Sequence, residues 1–156
     1  MRSLTDVINF AKIHPFCYMA TMDKMQPRVR PMTLLEVDKG GFYFQTFDSK
    51  NMLKQLVENR NVEICFHEFK DDDGGNILRV SGEVEFIRNK NLLVKLLKRD
   101  PILNYLGYSE NSPGFVLFRI VKGNAHFWNM DNFYEKEEMI SFEFKQNVEK
   151  DERYQK

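Results

Sequence analysis

Three cations and one hydroxyl carry the clearest chemistry in this chain. Arg28 and Arg30 lie two residues apart in Gln26-Pro-Arg-Val-Arg-Pro-Met32, and Ser49-Lys50 opens a segment of helical period. Residues two apart share one face of a strand. A helix N-terminus presents free backbone N–H groups and the positive end of the helix dipole. A Ser hydroxyl, a Lys ammonium and an Arg fork gathered at such a terminus make a site for a monophosphate. The same residues also read as two solvated arginines and an ordinary capped helix.

Other reactive constellations are weak. There is no GxSxG elbow, P-loop or GxGxxG. His14, His67 and His126 are far apart in sequence, and a lone strand histidine is more often structural than a ligand. Asp71-Asp72-Asp73-Gly74-Gly75 lacks the spaced ligands and closing Glu of a calcium loop, so it reads as a hairpin tip. No metal site is expected. Cys17 and Cys65 sit in apolar runs with no CxxC spacing, which suggests buried free thiols in a reducing compartment, with a disulfide as the alternative.

These residues need a scaffold. A chain of 156 residues fits one domain, here expected over 1–144, with a charged tail over 145–156 expected to fray. The balance of 23 basic and 23 acidic residues argues against a protein that coats nucleic acid. No apolar run reaches the length of a signal peptide or a membrane span, so a cytoplasmic protein without membrane or nucleic-acid partners is expected. The 14 Phe and 8 Met residues suit an aromatic core together with an apolar subunit seam.

Periodicity predicts a helix from Ser3 or Thr5 to before Pro15, with Leu4, Val7, Ile8 and Ala11 on one face. Strands are predicted over Phe16–Asp23, Arg28–Val37, Phe42–Phe47, Val62–Phe69 and Ile77–Ile87. Pro31 places the second at an edge or bulge. Ser49 reads as the N-cap of a helix over Lys50–Asn59, and a further helix runs over Asn91–Lys98, stopped by Pro101. Gly82 mid-strand suggests a sharp bend. Phe115–Val121 and Ala125–Met130 read as a hairpin turning at Lys122-Gly123-Asn124, and Phe133–Phe144 as a short helix and an edge strand. Many short strands with a few helices point to a mainly β (α+β) fold built on a small antiparallel barrel.

The order of the pieces resembles the pyridoxamine 5′-phosphate oxidase-like flavoproteins. His14-Pro-Phe-Cys-Tyr-Met-Ala-Thr-Met-Asp23 and Gln26-Pro-Arg-Val-Arg-Pro-Met32 look like that family's opening hairpin. Phe42-Tyr-Phe-Gln-Thr46, Ser49-Lys50, Asn59-Arg-Asn-Val-Glu-Ile-Cys-Phe66 and Leu78-Arg-Val-Ser-Gly-Glu-Val-Glu-Phe86 follow in the family's order. The resemblance spans roughly residues 5–130. It implies an FMN-binding split β-barrel, a homodimer with flavin at the subunit junction, and FMN-dependent oxidoreductase activity on a small molecule. By that resemblance Arg28, Val29 and Arg30 lie along the flavin, Gln45 and Thr46 contact the ring or ribityl chain, and Ser49 and Lys50 hold the phosphate. Trp128 would cover the flavin from the second subunit. The founding oxidase carries a Ser-Arg-Lys clamp where this chain has Ser49-Lys50-Asn51, and its Arg-x-His substrate pair is absent here. The resemblance therefore does not extend to pyridoxamine phosphate as substrate. A flavin carrier or sensor without turnover, and a haem- or F420-binding protein on the same barrel, are the alternative readings.

Overall fold

Ser3 starts the first helix, α1 (Leu4–Ile13), in a computed structural model that describes residues 1–70 and 74–155. The Ser3 hydroxyl accepts from the Asp6 N–H, and the Asp6 carboxylate accepts from the Ser3 N–H at 2.7 Å, forming a capping box. Val7 and Ala11 bury the helix against the sheet.

The strands are β1 (Phe16–Asp23), β2 (Gln26–Thr33), β3 (Glu36–Asp38), β4 (Gly41–Phe47), β5 (Asn61–His67), β6 (Ile77–Ile87), β7 (Phe115–Trp128) and β8 (Ile140–Glu143). Helix α2 (Asn51–Glu58) lies between β4 and β5, and α3 (Lys90–Arg99) and α4 (Pro101–Tyr105) lie between β6 and β7. The strands form one antiparallel sheet in the order β2-β1-β5-β6-β7-β4-β3, with β8 pairing β7. The fold is therefore mainly β with a few short helices, a barrel that curls without closing. Phe42, Phe44, Phe66, Phe86 and Phe118 are fully buried at its centre, which accounts for much of the phenylalanine content.

Several elements differ from expectation. Arg28–Val37 is not one strand. The chain leaves β2 at Thr33 and starts β3 at Glu36; between them the Leu34 N–H donates to the Pro15 carbonyl and the Leu35 N–H to the Tyr43 carbonyl, both at 2.9 Å. β2 itself is the sheet edge, where Pro27 and Pro31 cost no ladder bond. Lys122-Gly123-Asn124 is not a hairpin turn. All three pair with β6 on one side and β8 on the other, so β7 runs unbroken from Phe115 to Trp128. Gly123 faces Gly82, and a Cβ on Gly123 would run into the Ser81 carbonyl oxygen. The paired glycines let two long strands cross closely and bend, and the β6–β7 register shifts at Glu83/Val84 beside them. Pro101 ends α3 as expected, and it also occupies the first turn of α4.

The charged tail expected to fray is pinned over its last turn. The Arg88 N–H donates to Glu149 O and the Asp151 N–H to Phe86 O. The Asp151 carboxylate, 1% exposed, accepts from Arg153 Nη2 at 2.7 Å, and Arg88 stands 3.6 Å away. Of the predicted Asp/Gly hairpin tip, residues 71–73 lie outside the described residues.

Gly123→Ala should destabilise the protein by roughly 1–3 kcal/mol in urea unfolding, because the strand crossing has no room for a methyl group. Gly114→Ala, where the nearest atom to a new Cβ is 3.6 Å away, should change stability by less than about 0.5 kcal/mol. Asp151 generates a pH dependence. Burial pushes its carboxyl up, but the Arg153 side chain and backbone N–H and the two guanidinium charges hold it below the ordinary range overall. Its contribution is thus present above the unfolded-state pKa of about 3.9 and is lost as pH falls through the lower folded value. Asp151→Asn should cost stability at pH 7, and its gap to the wild type should shrink as pH drops below about 4.

Candidate functional site

The curled sheet leaves a seam between β2 and the neighbourhood of β4, and a cavity of about 700 Å3 occupies it. Arg28, Val29 and Arg30 line it from β2, Gln45 and Thr46 from β4, and Lys50 from the turn before α2. Six of the eight residues proposed from the sequence thus meet in one cavity. The pairing explains the two arginines. Arg28 and Arg30 stand opposite Thr21 and Met19 of β1, whose side chains are buried, so both turn toward the interior side of the seam.

Arg30 is half-buried and held in place. Its Nη2 donates to Gln55 Oε1 at 2.9 Å, and Gln55 Oε1 also accepts from Thr21 Oγ1 at 2.7 Å. Burial lowers the Arg30 pKa, and the guanidinium stays charged. Arg28 is exposed and pairs with Asp23 at 3.2 Å. Lys50 is exposed and has no ion-pair partner among the described residues.

Ser49 is not the helix cap. The Lys50 N–H closes a turn onto Phe47 O at 3.0 Å, which leaves Ser49 in the middle of that turn and makes Lys50 the N-cap residue. Lysine has no acceptor to offer, so no side chain caps α2. Ser49 lines instead a separate depression of about 420 Å3 that Lys50 also borders. Trp128 lies outside the cavity of its own chain. It pairs with Ile77, packs on Phe133, and stands eleven residues along β7 from Leu117, the partner of Gln45. That is roughly 36 Å of strand.

Gln45 Oε1 is buried without a hydrogen-bond partner. A buried acceptor left unmatched costs on the order of 1–3 kcal/mol, which a ligand donor in the cavity would recover. The site therefore combines an uncapped helix terminus, a free ammonium, a fixed guanidinium and an orphaned amide oxygen. That set of donors and one acceptor suits a ligand with an anionic end and a flat, N–H-bearing head.

A family model described as pyridoxamine 5′-phosphate oxidase matches residues 6–129. The chain belongs to that family. Among solved structures, it is similar to a NimC/NimA family protein from Clostridium acetobutylicum, with 26% identity and a TM-score of 0.71, covering 88% of this chain and 92% of that one. It is similar in fold to General Stress Protein 26 from Bacillus anthracis, with 16% identity and a TM-score of 0.69, covering 89% and 98%. It is also similar in fold to HutZ, the heme storage protein of Vibrio cholerae, with 17% identity and a TM-score of 0.59, covering 77% and 89%. No curated protein sequence matches significantly.

This pyridoxamine 5′-phosphate oxidase family member carries a second cavity, of about 740 Å3, that shares Pro31, Met32 and Gln45 with the first. Cys17 lies on its wall. Burial, with the nearby Cys65, pushes the Cys17 thiol up to about 12, so it is no nucleophile at neutral pH. Both cysteines are free; Cys17 is on the buried face of β1, and Cys65 is opposite outward-facing Tyr18 in β5. Among the described residues no group of three His, Cys, Asp or Glu side chains is placed to hold a metal ion, and no helix is long and apolar enough to cross a membrane. The sequence reading missed Gln55. Its signal was a polar residue on the apolar stripe of α2, beside Met52, Leu53 and Leu56.

Proposed function

We propose that this chain is an FMN-binding flavoprotein that works as a homodimer and acts as an oxidoreductase on a small molecule. The observation that carries the reading is the buried, unpartnered Gln45 Oε1 in a cavity that also holds Arg30, Lys50 and the uncapped start of α2. Family membership supports it. A cavity of this size is in the range of small-molecule sites.

Lys50 and the first N–H groups of α2 would bind the phosphate, with Ser49 at its outer side and Arg28 and Arg30 supplying further positive charge. The backbone of Val29 and the hydroxyl of Thr46 would meet the ring edge and ribityl chain. Gln45 Oε1 would accept from a ring N–H, which fixes the orientation of the ring. The flavin supplies the hydride or electron chemistry when bound. The residues of the chain bind, orient and shield it.

A second copy is part of the reading. The outer face of β1 and β2 exposes Phe16, Tyr18 and Val29, at 75%, 51% and 66%, a patch that a monomer would leave in water. Trp128 would reach the flavin only from that second copy.

One observation favours haem as the second reading. His126 is buried, its Nε2 lacks a hydrogen bond, and the nearest carboxylate oxygen, of Glu137, is 3.5 Å away.

Added FMN should lose fluorescence on binding the wild-type protein. Lys50→Ala should weaken that binding by roughly 1.5–3 kcal/mol, the scale of one charge-assisted hydrogen bond. Unchanged affinity would remove Lys50 from the phosphate site. Reduction of the bound flavin by NADH or NADPH with turnover separates an enzyme from a carrier. Protein that ignores FMN but takes up haem with a sharp absorption band, lost in His126→Ala, would decide for haem, and uptake of F420 alone would decide for the deazaflavin. Sedimentation should give a dimer, and Tyr18→Glu should shift it toward monomer.

A further inference from the structure

We propose that the second cavity binds a flat aromatic acid, with its carboxylate on Arg99 and its ring against Tyr18, Met32 and Phe69. The proposal deepens the flavin reading, because the cavity shares the Gln45 wall with the proposed cofactor site and the acid would lie beside the flavin ring.

Among the described residues, Arg99 is the one arginine or lysine on the cavity lining. It ends α3, and its Nη1 donates to Leu34 O at 3.1 Å and more weakly to Leu35 O at 3.5 Å. Those bonds fix the plane of the guanidinium. Its Nε and Nη2 have no partner among the described residues, and no carboxylate lies within ion-pairing distance. The neighbouring Asp100 also lines the cavity, but its Oδ1 accepts the Ile102 N–H at 3.2 Å and caps α4. The fork thus keeps a free edge of two donors, the geometry that takes a carboxylate bidentately.

The rest of the wall sets the class of ligand. Phe69 lines the cavity together with Phe16 and Tyr18, which also belong to the proposed subunit seam, so that in a dimer the second copy would border this side of the cavity; Met32 and Leu35 are half-buried on its wall. Aromatic and thioether walls favour a flat ring. A volume of about 740 Å3 fits a one- or two-ring molecule with water to spare. A phosphate ester is a poorer fit, because one cation serves this cavity and three serve its neighbour.

The test is ligand-observed saturation-transfer NMR with 2-naphthoate, using 2-naphthamide as the uncharged match, on the protein with and without added FMN. Naphthoate should bind in both states, and naphthamide at least tenfold more weakly. Arg99→Ala should weaken naphthoate about tenfold, Arg99→Lys should restore part of the loss, and Lys98→Ala on the same helix should change nothing. FMN affinity, read separately by fluorescence, should be the same in all of them. Equal binding of the acid and the amide by the wild type, which needs no variant to fold, would overturn the proposal. So would undiminished naphthoate binding in Arg99→Ala, or no naphthoate binding at all. Charge-selective naphthoate binding by a protein that ignores FMN would retire the flavin reading and keep the acid site, whereas FMN binding without such selectivity would do the reverse.

Discussion

Two residues hold the two edges of this open barrel together. β2 and β3 occupy opposite ends of the sheet order, yet only Leu34 and Leu35 join them. The three Cα–Cα steps from Thr33 to Glu36 span at most about 11 Å, so the two edges of the sheet must come together. A flat sheet of this many strands would hold them several strand spacings apart, at about 4.8 Å each. The sheet therefore has to curl, and Gly82 of β6 faces Gly123 of β7 at a close approach of the two strands beside the register shift at Glu83/Val84. Leu34 bonds back to the β1 side and Leu35 forward to the β4 side, so the link is stitched to both edges it joins.

The edges meet without a ladder between them, and that leaves room for the cavity between β2 and β4. β2 carries prolines at positions 27 and 31, which keep it from pairing fully with another strand. Side chains fill the gap instead. Arg30, Gln55 and Thr21 form a buried chain of hydrogen bonds from β2 through α2 to β1. On the far side, Arg119 of β7, 5% exposed, is tied to Glu85 and to the Gly40 and Gln146 carbonyls, which anchors the β3–β4 turn. A buried arginine this fully partnered stabilises through completeness, since removing either partner would strand a charge. The seam is thus hydrogen-bonded on both flanks and polar between them.

The strands that build the barrel were legible because their signals are local. The alternation over Ile77–Ile87 and the edge position of Pro31 both appear in the structure as read. The errors came where a local signal was decided by tertiary contact. Lys122-Gly123-Asn124 has the composition of a turn, but its glycine is needed for close approach to Gly82, and β8 pairs the same residues from the other side. Arg28–Val37 reads as one strand because nothing local marks the change of partner at Leu34. Ser49 has the chemistry of a cap, but the bond from Lys50 to Phe47 takes the turn one residue further. The charged tail looks solvated until Asp151 is seen against Arg153 and Arg88. In the candidate site, Arg28, Arg30 and Lys50 stood out by type and spacing as one of two open readings, Gln45 was placed only by the family resemblance, and all four line one cavity. Gln55 and Arg99 were not, because each matters only through contacts 25 or more residues away in sequence.

The displaced cap bears on the chemistry as well. Had Ser49 capped α2, its oxygen would have taken one of the free N–H groups that an anion needs. With lysine in that position the terminus stays open, and the ammonium adds a charge of the sign the helix dipole disfavours there. Such an arrangement is locally unfavourable and becomes favourable only when an anion arrives. Gln45 of β4 likewise leaves a buried acceptor unmatched. Both features lower stability in the free protein and face the same cavity. Arg99, with one edge bound to the Leu34–Leu35 link and the other free, repeats the pattern at the adjoining cavity. The same two-residue link that curls the sheet thus also fixes the one cation that faces the second cavity.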